Sequence, residues 1–127
     1  MISLNDIVAY LKGVKNMPKK ALEVLTESMF YVLMAFCRES MCGIDVATYI
    51  EKKTKGIVQI GPATLYTILG KFEKENYIEE IEVLGRKRTY KITEKGRLAY
   101  KEEVARLQRC VADAKNDIEN KEHNINE

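Results

Sequence analysis

Ligands for metal ions are scarce in this sequence. It has three cysteines and one histidine, none of the cysteines forms a CxxC pair, and the histidine, His123, lies in a polar tail. A zinc site needs about four ligands at suitable spacing, so no metal is expected. Cys37, Cys42 and Cys110 read as reduced thiols, and only the short interval between Cys37 and Cys42 leaves room for a redox switch. Long apolar runs are missing as well. A membrane-spanning helix needs about 18 or more consecutive apolar residues, and none is found. The first residues, "MISLNDIVAYLKGVKN", lack the charged, apolar and small-residue order of a secretion signal, which makes a cytoplasmic protein the expectation. There are no repeats and no low-complexity linkers. Catalytic groupings are absent too: no nucleophile–base pair, no phosphate-cradling glycine loop, no paired carboxylates in an apolar setting. The sequence points away from an enzyme, and no cofactor is expected.

What is present suits one compact unit. A chain of 127 residues with 46% hydrophobic side chains can build a core without staples, and 31% charged residues give a solvated exterior. The net charge of +2 says little about partners; its distribution says more. Between Leu84 and Arg97 lie six cations (Arg86, Lys87, Arg88, Lys91, Lys95, Arg97) against one acid, Glu94. Between Lys12 and Lys20 lie four lysines and no acid, whereas beyond Cys110 acids outnumber bases. Basic charge confined to one surface is the pattern expected where a polyanion binds, although a solvated basic loop looks the same by charge alone.

Along the chain, Leu4, Ile7, Val8 and Leu11 recur at helical spacing, with Ser3 and Asp6 as a cap, and predict a short amphipathic helix ending near Gly13. A second helix is expected from Pro18, carrying the apolar row Leu22, Leu25, Met29, Val32 and Phe36, which faces either the core or a partner. "SMCG" breaks it. Ile44, Ala47 and Ile50 mark a third helix that Gly56 stops. Pro62 opens a fourth, whose Leu65, Ile68, Leu69 and Phe72 repeat at i, i+3, i+4, i+7, and Asn76 ends it in a left-handed position. "YIEEIEV" and "RTYKI" read as two strands around a tight turn at Gly85. Thr93 and Glu94 start a last helix running to about Asn120. Its Tyr100, Val104, Leu107, Val111, Ala114 and Ile118 alternate by four and three, a heptad seam. At ~1.5 Å per residue that helix is roughly 40 Å long, more than one small domain can cover, so a partner is expected.

Helix, helix, short turn, helix and hairpin is the element order of a winged helix. With Leu65, Ile68, Leu69 and Phe72 facing inward, the fourth helix turns Ala63, Thr67, Gly70 and Lys74 outward, flanked by Thr64, Tyr66 and Lys71. Small residues let such a helix approach a groove closely. The hydroxyls can reach phosphates or base edges, and the lysines phosphates. Arg86, Lys87 and Arg88 on the wing would reach the backbone or the minor groove. Each part has a plainer reading: Tyr66 as a lid on the core edge, and Lys71 and Lys74 as partners of Glu73 and Glu75. The conjunction carries the argument.

Two segments, "ATLYTILGKFEKENYI" and "GRKRTYKITEKG", resemble the PadR family of bacterial transcription regulators. The first follows that family's T-L-Y-x-x-L segment, the second its basic wing and the T-x-x-G that enters the last helix. The resemblance extends less specifically over Met17–Gly56 and the last helix. It implies that Thr64, Leu65 and Tyr66 take the T-L-Y positions, with Tyr66 on a phosphate. It also implies that Lys87 and Arg88 form the basic wing pair, and that Tyr90 is the wing tyrosine. Asn76 stands where the family has glycine, which its tolerance of the left-handed region permits; Phe72 replaces a leucine. The wing turn is short for deep minor-groove insertion. Small members of the family dimerise through the last helix, and many bind aromatic or drug-like effectors between subunits, which implies a homodimer here.

The expected architecture is mostly α with a small β-hairpin. Residues 1–16 form an N-terminal extension of unassigned role, 17–93 a winged helix-turn-helix, 94–120 a dimerisation helix and 121–127 a polar tail. The expected function is a DNA-binding transcriptional regulator, a homodimeric repressor on an inverted-repeat operator. Its DNA-contacting residues are Ala63, Thr64, Tyr66, Thr67, Gly70, Lys71, Lys74, Arg86, Lys87, Arg88 and Tyr90. The dimer seam runs from Tyr100 to Ile118, and a candidate aromatic-effector pocket is lined by Met29, Val32, Phe36, Tyr100 and Leu107. Two rivals stand beside it: a dimeric protein-interaction module whose basic wing serves solubility, and a thiol-based sensor.

Overall fold

The computed structural model describes residues 24–126. The expected helix over Ser3–Gly13, the opening at Pro18 and the lysines between Lys12 and Lys20 lie outside the described residues. Within them the order is α1 (Glu27–Arg38), β1 (Met41–Cys42), α2 (Gly43–Lys53), α3 (Pro62–Lys74), β2 (Ile78–Leu84), β3 (Lys87–Ile92) and α4 (Glu94–Asn126). No described helix is long and apolar enough to cross a membrane.

A helix running unbroken from Pro18 is not what forms. Residues 24–26 are non-helical and α1 starts at Glu27. The Thr26 hydroxyl accepts from the Met29 amide at 3.2 Å, a side-chain cap that fixes the start. One residue earlier, the Leu25 amide donates to Glu103 on α4 at 2.8 Å. That amide has its partner outside any helix. Met29, Val32, Leu33 and Phe36 then face the core, together with Val46 and Ile50 of α2 and Leu65, Ile68, Leu69 and Phe72 of α3.

The chain leaves α1 through Met41–Cys42, which pair with Tyr90 and Thr89 and make β1 a third strand beside the hairpin, in the order β1-β3-β2. β2 and β3 run antiparallel from Ile78↔Ile92 to Leu84↔Lys87, with a bulge between Glu80 and Glu82. The turn between them holds two residues, and Gly85 takes a φ of 62° there.

At the end of α3 Asn76 adopts a φ of 61°. Its amide donates to the Glu73 carbonyl and the Tyr77 amide reaches back to Phe72 at 2.8 Å, the paired bonds that close a helix around a left-handed residue. The start of α4 locks onto this corner. Thr93 donates its amide to the Tyr77 carbonyl at 2.9 Å and its hydroxyl to the Asn76 carbonyl at 2.6 Å, and it accepts from the Gly96 amide at 3.0 Å. Gly96 is needed because a β-carbon there would lie 2.1 Å from the Tyr77 oxygen.

α4 is also longer than expected. It continues to Asn126, 33 residues in all, so residues 121–126 prolong the helix. No proline or glycine interrupts that stretch, which leaves the backbone ladder free to continue.

Candidate nucleic-acid interface

α3 is built to show one face. Gly61 and Pro62 open it and its apolar row is buried. Ala63, Thr64, Tyr66, Thr67, Gly70, Lys71 and Lys74 are all exposed on the remaining surface. Tyr66 is 64% exposed and covers little of the core edge. Thr67 donates its hydroxyl to the Ala63 carbonyl one turn back, at 2.9 Å. A shallow cleft of about 360 Å³ separates this helix from the start of α1, with Thr26, Ser28, Thr64, Thr67 and Lys71 on its walls.

The wing cations divide into two kinds. Arg88 lies 3.2 Å from the Glu80 carboxylate and Lys91 3.0 Å from that of Glu79, both across the hairpin. Arg86 and Lys87 at the tip, like Lys71 and Lys74 on α3, have no ion-pair partner among the described residues. Exposed pairs such as Arg88–Glu80 contribute little to stability, yet a shared carboxylate weakens what Arg88 can offer a phosphate. The alternative pairing of Lys71 and Lys74 with Glu73 and Glu75 does not form.

Two expected assignments need correction. Tyr90 does not face DNA: it is 5% exposed, packs edge-on against Phe36 with ring centroids 6.3 Å apart, and pairs opposite Met41. Strand alternation puts Lys87, Thr89 and Lys91 on one face and Arg88, Tyr90 and Ile92 on the other, and the core takes the second. Burial, then the carboxylates of Glu73 and Glu80, push the Tyr90 hydroxyl above the ordinary tyrosine range. The proposed effector lining fails similarly. Met29, Val32 and Phe36 are 5%, 0% and 1% exposed and fill the protomer's own core, so they have no surface left for a ligand between subunits.

The seam of α4 splits in two. Tyr100 and Val104 are half-buried against the domain, the Tyr100 ring stacked on Phe30 at 5.3 Å. Leu107, Val111 and Ile118 are 36%, 53% and 57% exposed, with Ala114 exposed between them. Phe30, Val104, Leu107, Gln108 and Val111 border an open, largely apolar groove of about 410 Å³.

Sequence reasoning missed Glu103. It is 5% exposed, accepts from the Leu25 amide and bonds the Arg106 guanidinium. Only its place beside the seam, between Tyr100 and Val104, hints that it leaves solvent. Burial pushes the Cys37 thiol up against the opposing pull of Arg97 and Lys101, which keeps it a poor nucleophile. Cys42 is buried and donates to Asp45 at 3.2 Å; Cys110 is exposed.

No curated protein matches the chain. Several solved structures do. A transcriptional regulator from Clostridium thermocellum superposes with a TM-score of 0.63 at 23% identity, covering 69% of this chain and 89% of that one. RosR from H. salinarum gives 0.57 at 18% identity, covering 78% and 91%. PadR from Bacillus subtilis, solved in complex with operator DNA, gives 0.56 at 17% identity, covering 62% of this chain and 47% of that one. At these identities the likeness is one of fold. Residues 32–102 match the transcriptional regulator PadR-like family, a span that runs from the middle of α1 through the first turns of α4. The chain therefore belongs to the PadR-like family and is a DNA-binding transcriptional regulator, not an enzyme.

Proposed function

We propose that the protein is a homodimeric repressor that occupies an inverted-repeat operator, with α3 in the major groove and the wing tip on the flanking backbone. One observation carries the reading: Lys71, Lys74, Arg86 and Lys87 stand exposed and unpaired among the described residues, while the cations beside them on the wing are paired. Free cations on α3 and at the wing tip, with small exposed residues on that helix, suit a phosphate backbone better than a solubilising surface. Residues 17–93 form the reading unit, and the exposed lower seam of α4 joins two copies. Such a dimer on an operator that overlaps a promoter would exclude polymerase, and repression is proposed on that ground. The half-sites lie about one helical turn apart, since two-fold related helices must enter grooves on one face of the duplex.

An anisotropy titration over several salt concentrations, on an inverted repeat and a scrambled duplex, tests this. Affinity rises on both as salt falls. Lys87→Ala or Lys71→Ala weakens binding to both alike and flattens the salt slope by about 0.9 per lost contact, roughly 1.8 for a dimer on two half-sites. Arg88→Ala changes the slope less, because Glu80 already shares its charge. Tyr66→Phe, which removes one neutral phosphate contact, costs about 0.5–1.5 kcal/mol per half-site. Should neither duplex bind more tightly at low salt, DNA is not the partner and the protein-interaction reading replaces this one.

A small aromatic effector belongs, on this reading, in the α4 groove beside the stacked Phe30 and Tyr100 rings and against Leu107. Planar dyes bind there, one per dimer or two related by symmetry, and loosen DNA. A broad dye panel that alters neither fluorescence nor DNA affinity removes the effector.

A further inference from the structure

We infer that Thr67 reads DNA through its methyl group, not its hydroxyl, and that the protein thereby selects thymine. The inference rests on the assignment of α3 to the major groove and concerns what that helix recognises there.

The centre line of the outward face holds Ala63, Thr67 and Gly70 in its first turns, all exposed. Ala63 ends in a methyl group and Gly70 has no side chain. Thr67 could have supplied a donor, but its one hydroxyl hydrogen is spent on the Ala63 carbonyl at 2.9 Å. That bond also fixes the rotamer. With the oxygen turned back along the helix, the remaining branch at Cβ, the methyl, is left exposed. In those first turns the line that approaches the base edges thus offers two methyl groups and no donor. Thr64, Tyr66 and Lys71 flank it, where the phosphate strands run, and Lys74, the one donor on the same line, lies about a turn beyond Gly70. In the major groove the apolar feature a methyl group can meet is the 5-methyl of thymine; the other base edges present acceptors and amino groups that want polar partners. A reader of this kind gains by burying that methyl and leaves no polar group of its own unpaired.

Two substitutions separate the branches of the side chain. Thr67→Val keeps the methyl and the β-branched shape but removes the hydroxyl. Thr67→Ser keeps the hydroxyl and removes the methyl. The duplex is the one that the unmutated protein selects from a random pool, and thymines in each half-site are replaced by uracil one position at a time. Uracil at the contacted position is expected to lower affinity about fourfold per half-site, roughly fifteenfold when both half-sites change, the worth of one buried methyl-sized group. Thr67→Val should match the unmutated protein on both duplexes. Thr67→Ser should lose the same factor on the thymine duplex and be indifferent to uracil. Thermal melting that overlays for all three proteins assigns these changes to the interface.

The opposite pattern, Ser retaining affinity and Val losing it, makes the hydroxyl the reader and overturns the inference while leaving α3 in the groove. Uracil without effect at every position overturns it too. Equal affinity for selected and scrambled duplexes at every salt concentration is a different failure, since it removes α3 from the groove altogether.

Discussion

Gly96→Ala destabilises the fold by about 3 kcal/mol or more, beyond the middle of the range for overpacking. The same change in an exposed helix would stabilise it by roughly 1 kcal/mol, so the sign itself is the test. A β-carbon at Gly96 would sit 2.1 Å from the Tyr77 oxygen and 2.9 Å from Cγ1 of Ile92. The carbonyl cannot swing away without loss. It accepts from the Thr93 amide at 2.9 Å, and the Tyr77 ring is buried against Phe72 with centroids 5.7 Å apart. The substitution must therefore push α4 off the corner where α3 ends and β2 begins, breaking the Thr93 cap in the process. Urea or thermal unfolding followed by circular dichroism measures it, and each kcal/mol should lower Tm by about 3–5 °C in a chain of this size. Thr93→Ala, which removes the cap but adds no clash, should cost about 1 kcal/mol. If Gly96→Ala melts at or above the unmutated temperature, the contact is not the tight one described.

Leu107→Glu converts the proposed dimer into folded monomer. Leu107 is 36% exposed in the protomer and stands in the open groove beside Val104 and Val111. The domain core does not depend on it. Burial in a dimer would contribute roughly 1.5–3 kcal/mol per leucine, twice over by symmetry, and a carboxylate there reverses that term. Sedimentation velocity should show dimer for the unmutated protein and monomer for Leu107→Glu, with helical circular dichroism retained. Val111→Glu, at a still more exposed position, should do the same. Affinity for an inverted repeat should fall by about 100-fold or more, because the two half-sites are no longer read by one linked molecule. A Leu107→Glu protein that sediments as a stable dimer places the interface elsewhere.

The corrected elements share one cause. An apolar row such as Leu22, Leu25, Met29, Val32 and Phe36 records which positions leave water, not what covers them. Met29, Val32 and Phe36 belong to the protomer's own core, where α1 packs on α2, α4 and β3. Leu25 is buried although it stands outside the helix, so burial imitated helical period before the helix began at Glu27. Tyr90 beside a run of cations suggested a DNA contact, but alternation names two faces without saying which one meets the core. The two residues of β1 are too few to show alternation at all. The place of Glu103 beside the seam hints that it leaves solvent but says nothing of a partner; the Leu25 amide, 78 positions away in the chain, makes it a buried acceptor.

The sequence by itself determined the elements whose cause is local. The period of Leu65, Ile68, Leu69 and Phe72 fixed the inward face of α3, and with it the exposed face that carries Ala63, Thr67 and Gly70. Asn76 tolerates the left-handed turn that ends α3, and Gly85 the positive φ of the wing. The motif residues Thr93 and Gly96 marked where α4 begins. Tertiary structure decided everything that depends on a distant surface: that Gly96 is obligatory because the Tyr77 carbonyl lies against it, that Arg88 is engaged by Glu80, and that the seam of α4 is half covered by Phe30 and half open. Backbone preference and side-chain period are set by neighbours within a few residues. The identity of the covering surface is set by contacts between elements, which no single stretch of chain encodes.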